Sequence, residues 1–276
     1  MIRSLLVAYD GSHGARVALQ HAVDLARCCE GRVVLVTVGA TTPDDASLLG
    51  GSGVDPVALA AEVQGDPEGP AAGAEADAVL SEAVELCREL TVRCLARPAY
   101  GDLPTAMARA SRFSDLAFIG RDAVGEAGSI GRSAWSARRV AMMARCPVVV
   151  TPRQYQPTRS VIAVCPGDAA RACTIRVAGE LARLLQVKLE ALLVAAEHEA
   201  AGPSVRDLKR YLVDHGHSAD VILRKPPAKD ALVAALGDRQ SPLVVVPRSG
   251  RWDTLMRRDW FSAALEILNA TIVVVP

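Results

Sequence analysis

Two stretches of this chain end alike, and that pairing constrains the fold most. Cys146-Pro147-Val148-Val149-Val150-Thr151-Pro152 has its counterpart in Ala270-Thr271-Ile272-Val273-Val274-Val275-Pro276. The runs 115–120 and 242–247 match in the same way, each a short apolar segment opening onto a polar loop. Short, nearly continuous apolar runs read as strands covered on both faces, the habit of parallel sheets. Their recurrence predicts that one strand–helix plan is built twice along the chain.

The order of patterns between these landmarks repeats too. Residues 5–9 form an apolar run that stops at Asp10-Gly11-Ser12, a strand followed by a turn. Ala15, Ala18, Leu19, Ala22, Val23 and Ala26 then recur at helical spacing, Gly31 stops the helix, and 33–38 is again apolar. This is a βαβ unit, which implies parallel pairing through a right-handed crossover. Further helices are predicted over 75–90, 102–113 and 133–144, with strands over 91–96, 116–120 and 147–150. Residues 40–73, rich in Gly, Pro, Asp and Ala, carry no sustained period and read as a long, mobile surface insertion beside the cleft. After a Pro/Gln/Arg linker the plan restarts. Strands are expected over 161–165, 187–194, 219–223, 243–246 and 271–275, and helices over 175–185, 204–215, 229–236 and 260–268. The fold class is therefore α/β: two tandem doubly wound, Rossmann-like domains of five mainly parallel strands, spanning 1–152 and 160–276. The apolar closing strands would leave exposed edges, so they are expected to pair and join the domains as an intramolecular pseudo-dimer. Association of whole chains into a homodimer stays open.

Composition narrows the function. Half of the 276 residues are hydrophobic, and 31 basic residues balance 31 acidic ones. Zero net charge and 4% aromatics argue against a nucleic-acid binder, which needs a basic surface or stacking rings. No apolar run approaches the ~20 residues of a membrane span. The chain enters its first strand at once, without a signal-peptide layout, so a cytoplasmic location and no membrane partner are expected. The seven cysteines are odd in number and include no C-x-x-C, so buried reduced thiols are expected.

The stretch 116–150 carries the chemistry: buried strand, Gly/Ser-rich loop, helix, buried strand. Such a loop feeding a helix N-terminus suits an anion, because free backbone N–H groups and the helix dipole point at it. With five strands, Leu6-Val7-Ala8-Tyr9-Asp10-Gly11-Ser12 after the first and the glycine loop after the fourth, the chain resembles the universal stress protein family. Arg138-Arg139-Val140 followed by Cys146-Pro147-Val148 resembles the family's usual ending. The resemblance covers the whole chain as two copies in tandem.

The resemblance implies a regulatory role in the stress response without enzymatic activity, an adenine nucleotide such as ATP as ligand, and a protein partner. Nucleotide-binding members carry Gly, two residues, Gly, nine residues, Gly, then Ser or Thr. Gly120 matches the first glycine; Ala123 and Ser133 stand at the second and third, with Gly125, Gly128 and Gly131 nearby. By the same resemblance Asp10 falls where the family contacts the nucleoside and Val38 where main-chain groups meet the adenine. Main-chain N–H groups of Gly131–Ser133 fall at the phosphates. Asp10 also reads as a plain turn residue, Ser133 as a helix N-cap, and Trp135 as packing over the loop. In the second half the pattern is lost, and Arg248, Arg251, Arg257 and Arg258 read as a solvated basic face. His13 reads as an exposed helix-start residue, and His215-Gly216-His217 as an exposed loop. Two functions stay open: a nucleotide-binding regulator, and a nucleotide-free interaction module of the same fold.

Overall fold

A computed structural model describes residues 2–38, 72–99, 102–121, 137–166, 172–194, 198–224, 232–234, 236, 239–248 and 270–276. Ala123, Gly131, Ser133, Trp135, Arg251, Arg257 and Arg258, the predicted helix 260–268 and the insertion up to residue 71 lie outside these residues.

The first half contributes β1 (Ser4–Ala8), α1 (His13–Cys29), β2 (Arg32–Val38), α2 (Ala72–Glu89), β3 (Arg93–Ala99), α3 (Leu103–Ala110), β4 (Leu116–Gly120), α4 (Ala137–Met143) and β5 (Val148–Thr151). The second half contributes β6 (Ser160–Pro166), α5 (Ala172–Leu185), β7 (Lys188–Val194), α6 (His198–Asp214), β8 (Ala219–Arg224), β9 (Pro242–Pro247) and β10 (Thr271–Val275). All ten strands lie in one sheet, ordered β3-β2-β1-β4-β5-β10-β9-β6-β7-β8. Every neighbouring pair is parallel except β5 and β10, which meet antiparallel through Val148↔Val274, Val149↔Val273 and Val150↔Ile272. The apolar closing strands thus cover each other's edges, merging two five-stranded halves into one sheet.

The register makes the repeat quantitative. Ser4 pairs with Arg32 in the first half and Ser160 with Lys188 in the second. Leu5 pairs with Leu116, and Val161 with Leu243. Phe118 pairs with Val149, and Val245 with Val273. Val149 and Val273 are therefore equivalent, and they face each other across the seam. The halves are related by a local two-fold through that pair, the self-complementary geometry of a symmetric dimer inside one chain.

Both faces of the sheet are covered. One apolar layer joins α1, α2, α5 and α6 to Leu5, Val7, Leu35, Val161 and Val245; the other joins α3, α4, Leu232 and Leu236 to Leu6, Ile119, Ile162 and Ile272. Strand residues alternate between the layers with period two. Each layer runs through both halves without a break.

Local details differ from the sequence reading for identifiable reasons. Helix α1 starts on an N-cap, Ser12, whose Oγ accepts from Ala15 N at 3.2 Å. It ends on Glu30, which takes the left-handed conformation (φ 51°) at the cap, one residue before the Gly31 that the sequence marks as the stop. Gly31 instead serves a close approach: a Cβ there would lie 2.9 Å from Arg3 O. Helix α2 already includes Ala72 and Gly73, placed above in the insertion. Strand β3 runs on to Ala99 past Pro98, which an edge strand tolerates because its outer side needs no N–H donor. Helix α6 starts at His198, before the expected 204.

Candidate functional site

Strand β1 delivers Asp10 to the carboxyl edge of the sheet. Tyr9 continues the ladder by donating its N–H to Val36 O at 2.9 Å. The chain then turns: Asp10 Oδ1 accepts from Ser12 N at 3.0 Å, and Gly11 takes a φ of 76°, open to glycine at little cost. Asp10 is half-buried. Its turn role is thus real, and it occupies one carboxylate oxygen of two.

The register brings the other edge positions level with it. Ala8 pairs with Val36, so Asp10 and Val38 each lie two residues further along neighbouring strands. Val7 pairs with Phe118, so Gly120 is level with Tyr9 on the other side of β1. Asp10, Val38 and Gly120 therefore share one edge, where open α/β sheets present their ligand crevice. Gly120 is held tightly: a Cβ there would lie 2.4 Å from Gly14 C and O in the first turn of α1. The glycine is demanded by strand–helix packing whatever else approaches it.

A polar bracket closes the α2 side. Tyr9 is 1% exposed, and burial pushes its pKa up against the opposing pull of the nearby Arg16. Arg16 in turn pairs with Glu82 of α2 at 3.0 Å. Val79 of α2 stands 3.4 Å from where a Gly11 Cβ would be, so α2 walls the Asp10 turn.

The second half answers each position differently. By register Asp10 corresponds to Pro166 and Gly120 to Pro247. Neither proline has an N–H, and neither offers a carboxylate or the backbone clearance of glycine.

The residues after β4 and β9 correspond as well, and both are arginines. Arg121 N donates to Thr151 O at 3.2 Å, and Arg248 N to Val275 O at 2.6 Å. Arg248 does not join a solvated basic face. Its guanidinium crosses the seam to Ala141 O at 3.4 Å and to Ala144 O, at the C-terminal end of α4. Arg121 reaches Ala270 O, just before β10, at 3.5 Å. A cation on terminal helix carbonyls satisfies orphan acceptors and opposes the negative end of the dipole.

Sequence reasoning also missed how the linker docks on α1. His13 Nε2 donates to Arg153 O at 2.9 Å, the Tyr155 hydroxyl donates to Asp24, and the Tyr155 ring lies 5.0 Å from that of His21. Burial lowers the His21 pKa to about 4, and burial followed by the Asp24 contact raises that of Tyr155 to about 12. The one available signal was His21 itself, a polar residue on the apolar stripe of α1. The loop histidines are structural: His215 Nδ1 donates to Tyr211 O at 2.9 Å, and the His217 ring fills the space above Gly179.

A cleft of about 350 Å³ opens at the opposite edge, between Arg3, Ser4, Glu30, Arg32, Arg93 and Asp115. Its charged groups hold the fold: Asp115 Oδ2 accepts from Arg3 N and Ser4 N at 2.8 Å, and Arg93 donates to Glu30 O at 3.2 Å. Among the described residues no cluster of three His, Cys, Asp or Glu could hold a metal, and no helix is long and apolar enough to cross a membrane.

The fold and the crevice define a doubly wound α/β protein whose halves are joined through their closing strands. Residues 1–92 match the family model described as the universal stress protein family. By that match residues 1–92 are similar to the universal stress protein family, and the second half of the chain repeats the strand order of the first. Among solved structures, a universal stress protein from Archaeoglobus fulgidus is similar over 99% of this chain and 97% of its own, with 14% identity and a TM-score of 0.70. A putative universal stress protein from Pseudomonas aeruginosa aligns over 99% and 93%, with 15% identity and a TM-score of 0.64. The cytoplasmic domain of a prokaryotic cation chloride cotransporter aligns over 99% and 95%, with 12% identity and a TM-score of 0.55. At such identities these likenesses show the fold alone, and one fold serves several functions. A search of curated proteins found no match.

Proposed function

We propose that the chain is a non-enzymatic regulator of the stress response that binds one adenine nucleotide, ATP, at the carboxyl edge of its first half. The observation that carries this reading is the asymmetry between two equivalent edges. The first half keeps Asp10, Val38 and Gly120 at one edge of the sheet, whereas prolines stand at two of the three matching places in the second. In this reading Asp10 approaches the ribose, the main chain at Val38 the adenine, and Gly120 lies beneath the phosphates. Gly131 and Ser133 supply N–H donors to those phosphates. Ala123 adds a methyl group where backbone must come close, so binding is weak. Occupancy biases the surface offered to a protein partner. The domain limits 1–152 and 160–276 follow the same repeat. Mass spectrometry of small molecules released on denaturing the purified protein tests it: a co-purifying adenine nucleotide at no more than one per chain is expected.

A second reading, a nucleotide-free interaction module, draws on two of the same residues. Gly14 alone requires a glycine at 120, and the turn alone uses Asp10 Oδ1. Absence of any bound or bindable nucleotide would select it.

A further inference from the structure

The cleft at the amino edge of the first half owes its charges to strand register. Ser4 pairs with Arg32, and Arg32 with Arg93, so β1, β2 and β3 each open on a residue of one lane across the sheet. Asp115, one residue before β4, completes the lane: its N–H donates to Ser4 O at 2.8 Å. Leu6 and Val34 belong to the layer of α3 and α4, and Cys94 packs on the other, so by alternation Ser4, Arg32 and Arg93 share the α3 face. Neighbouring strands lie about 4.8 Å apart, so two arginines stand side by side with no acid between them. Like charges placed opposite each other repel. The second half neutralises the same place. Lys188, the counterpart of Arg32, meets Asp220 at 2.7 Å and Glu190 at 3.8 Å. Where those acids stand, the first half has Leu95 and Val34. Among the described residues the Arg32 guanidinium has no hydrogen bond or ion pair, and Arg93 donates to Glu30 O at 3.2 Å. The acid of the lane is engaged elsewhere: Asp115 Oδ2 accepts from Arg3 N and Ser4 N, each at 2.8 Å.

We propose that this cleft is a second ligand site and that it takes a small sugar phosphate. Arg32 and Arg93 carry planar forks of N–H donors, which match phosphate oxygens two at a time. A bound phosphate relieves their mutual repulsion, as Asp220 and Glu190 do for Lys188 in the second half. At the other end of the lane Asp115 keeps one carboxylate oxygen beyond its two backbone bonds, and Glu30 also lines the cleft. Ionised carboxylates only accept hydrogen bonds. They suit hydroxyl donors and repel a second phosphate, so the ligand is anionic at one end and rich in hydroxyls at the other. The volume of about 350 Å³ is in the range of small-molecule sites. The cleft shares no residue with the edge that carries Asp10, Val38 and Gly120.

The test titrates the full-length chain calorimetrically with glucose 6-phosphate, inorganic phosphate and glucose. Glucose 6-phosphate is expected to bind more tightly than inorganic phosphate, and glucose to give no heat. Arg32→Ser and Arg93→Ser each weaken glucose 6-phosphate binding about tenfold, as loss of a charge-assisted hydrogen bond does. Arg206→Ser, which removes an equal charge from the exposed surface of α6, leaves it unchanged. In the wild-type chain, saturating glucose 6-phosphate shields Arg32 and Arg93, and not Arg206, from modification by phenylglyoxal, read by peptide mass spectrometry. That readout is independent of how any variant folds. The proposal is overturned if neither phosphate binds, if all three variants weaken binding equally, or if Arg32 and Arg93 stay unshielded. Glucose 6-phosphate binding no tighter than inorganic phosphate, or no tighter than glucose, would overturn it as well.

Discussion

The backbone of Gly120, at the end of β4, rests directly on that of Gly14, in the first turn of α1. A methyl group on Gly120 would lie 2.4 Å from the Gly14 carbonyl, and neither partner can yield without moving a whole element. Gly120→Ala is therefore expected to push α1 away from β4. Overpacking of this kind costs on the order of 1–3 kcal/mol. Urea unfolding measures it; a wild-type midpoint would show that the contact relaxes freely.

The seam arginine makes a separate prediction. Arg248→Ala removes the guanidinium from the α4 carbonyls of Ala141 and Ala144. Hydrogen bonds to a charged group contribute about 1.5–3 kcal/mol each, so a loss of that order is expected in thermal or chemical unfolding. Arg248→Lys restores the charge without the planar fork and recovers only part of it. Identical stability of all three proteins would mean that the contact contributes nothing.

Acid should weaken the fold through His21. Its pKa is lowered by burial from 6.5 to about 4 in the folded chain. Between those values the unfolded chain binds the proton and the folded one does not, so stability falls as pH drops through this window. At about 1.4 kcal/mol per unit, the loss is on the order of 3 kcal/mol. His21→Leu should flatten this part of the stability profile. Equal slopes for both proteins between pH 6.5 and 4 would contradict the assignment.

The linker contact is testable by a single atom. Tyr155→Phe keeps the ring beside His21 and deletes the hydroxyl that meets Asp24. An intramolecular hydrogen bond contributes about 0.5–1.5 kcal/mol net, more when a partner is charged, so a small loss is expected. Faster proteolysis around 152–159 should accompany it; unchanged cleavage would show that other contacts hold the linker.

Much of the architecture was readable in the sequence because buried parallel strands leave unbroken apolar runs. β4 and β10 lie on the residues where the runs 116–120 and 271–275 place them. The apolar residues of 148–150 and 272–275 announced a seam, since such edges cannot stay in water. Residues acting through tertiary contact were not readable. Arg248 looks like any loop arginine until the antiparallel seam brings α4 beneath it. Glu30 takes the left-handed cap, while Gly31 is needed against Arg3 O. Of the candidate site, Asp10, Val38 and Gly120 come to one edge as their strand positions imply. The purpose of Gly120, however, is explained first by Gly14, which sequence spacing does not reveal.

The most direct test of the account is calorimetric titration of ATP into the wild-type protein, Asp10→Ala and Arg248→Ala. The account predicts weak binding at one site per chain. Asp10→Ala loses on the order of 1.5–3 kcal/mol, the worth of a charge-assisted hydrogen bond. Arg248→Ala, which lies outside the site, binds like the wild type. No heat at millimolar ATP, two equal sites per chain, or equal loss in both variants would contradict it.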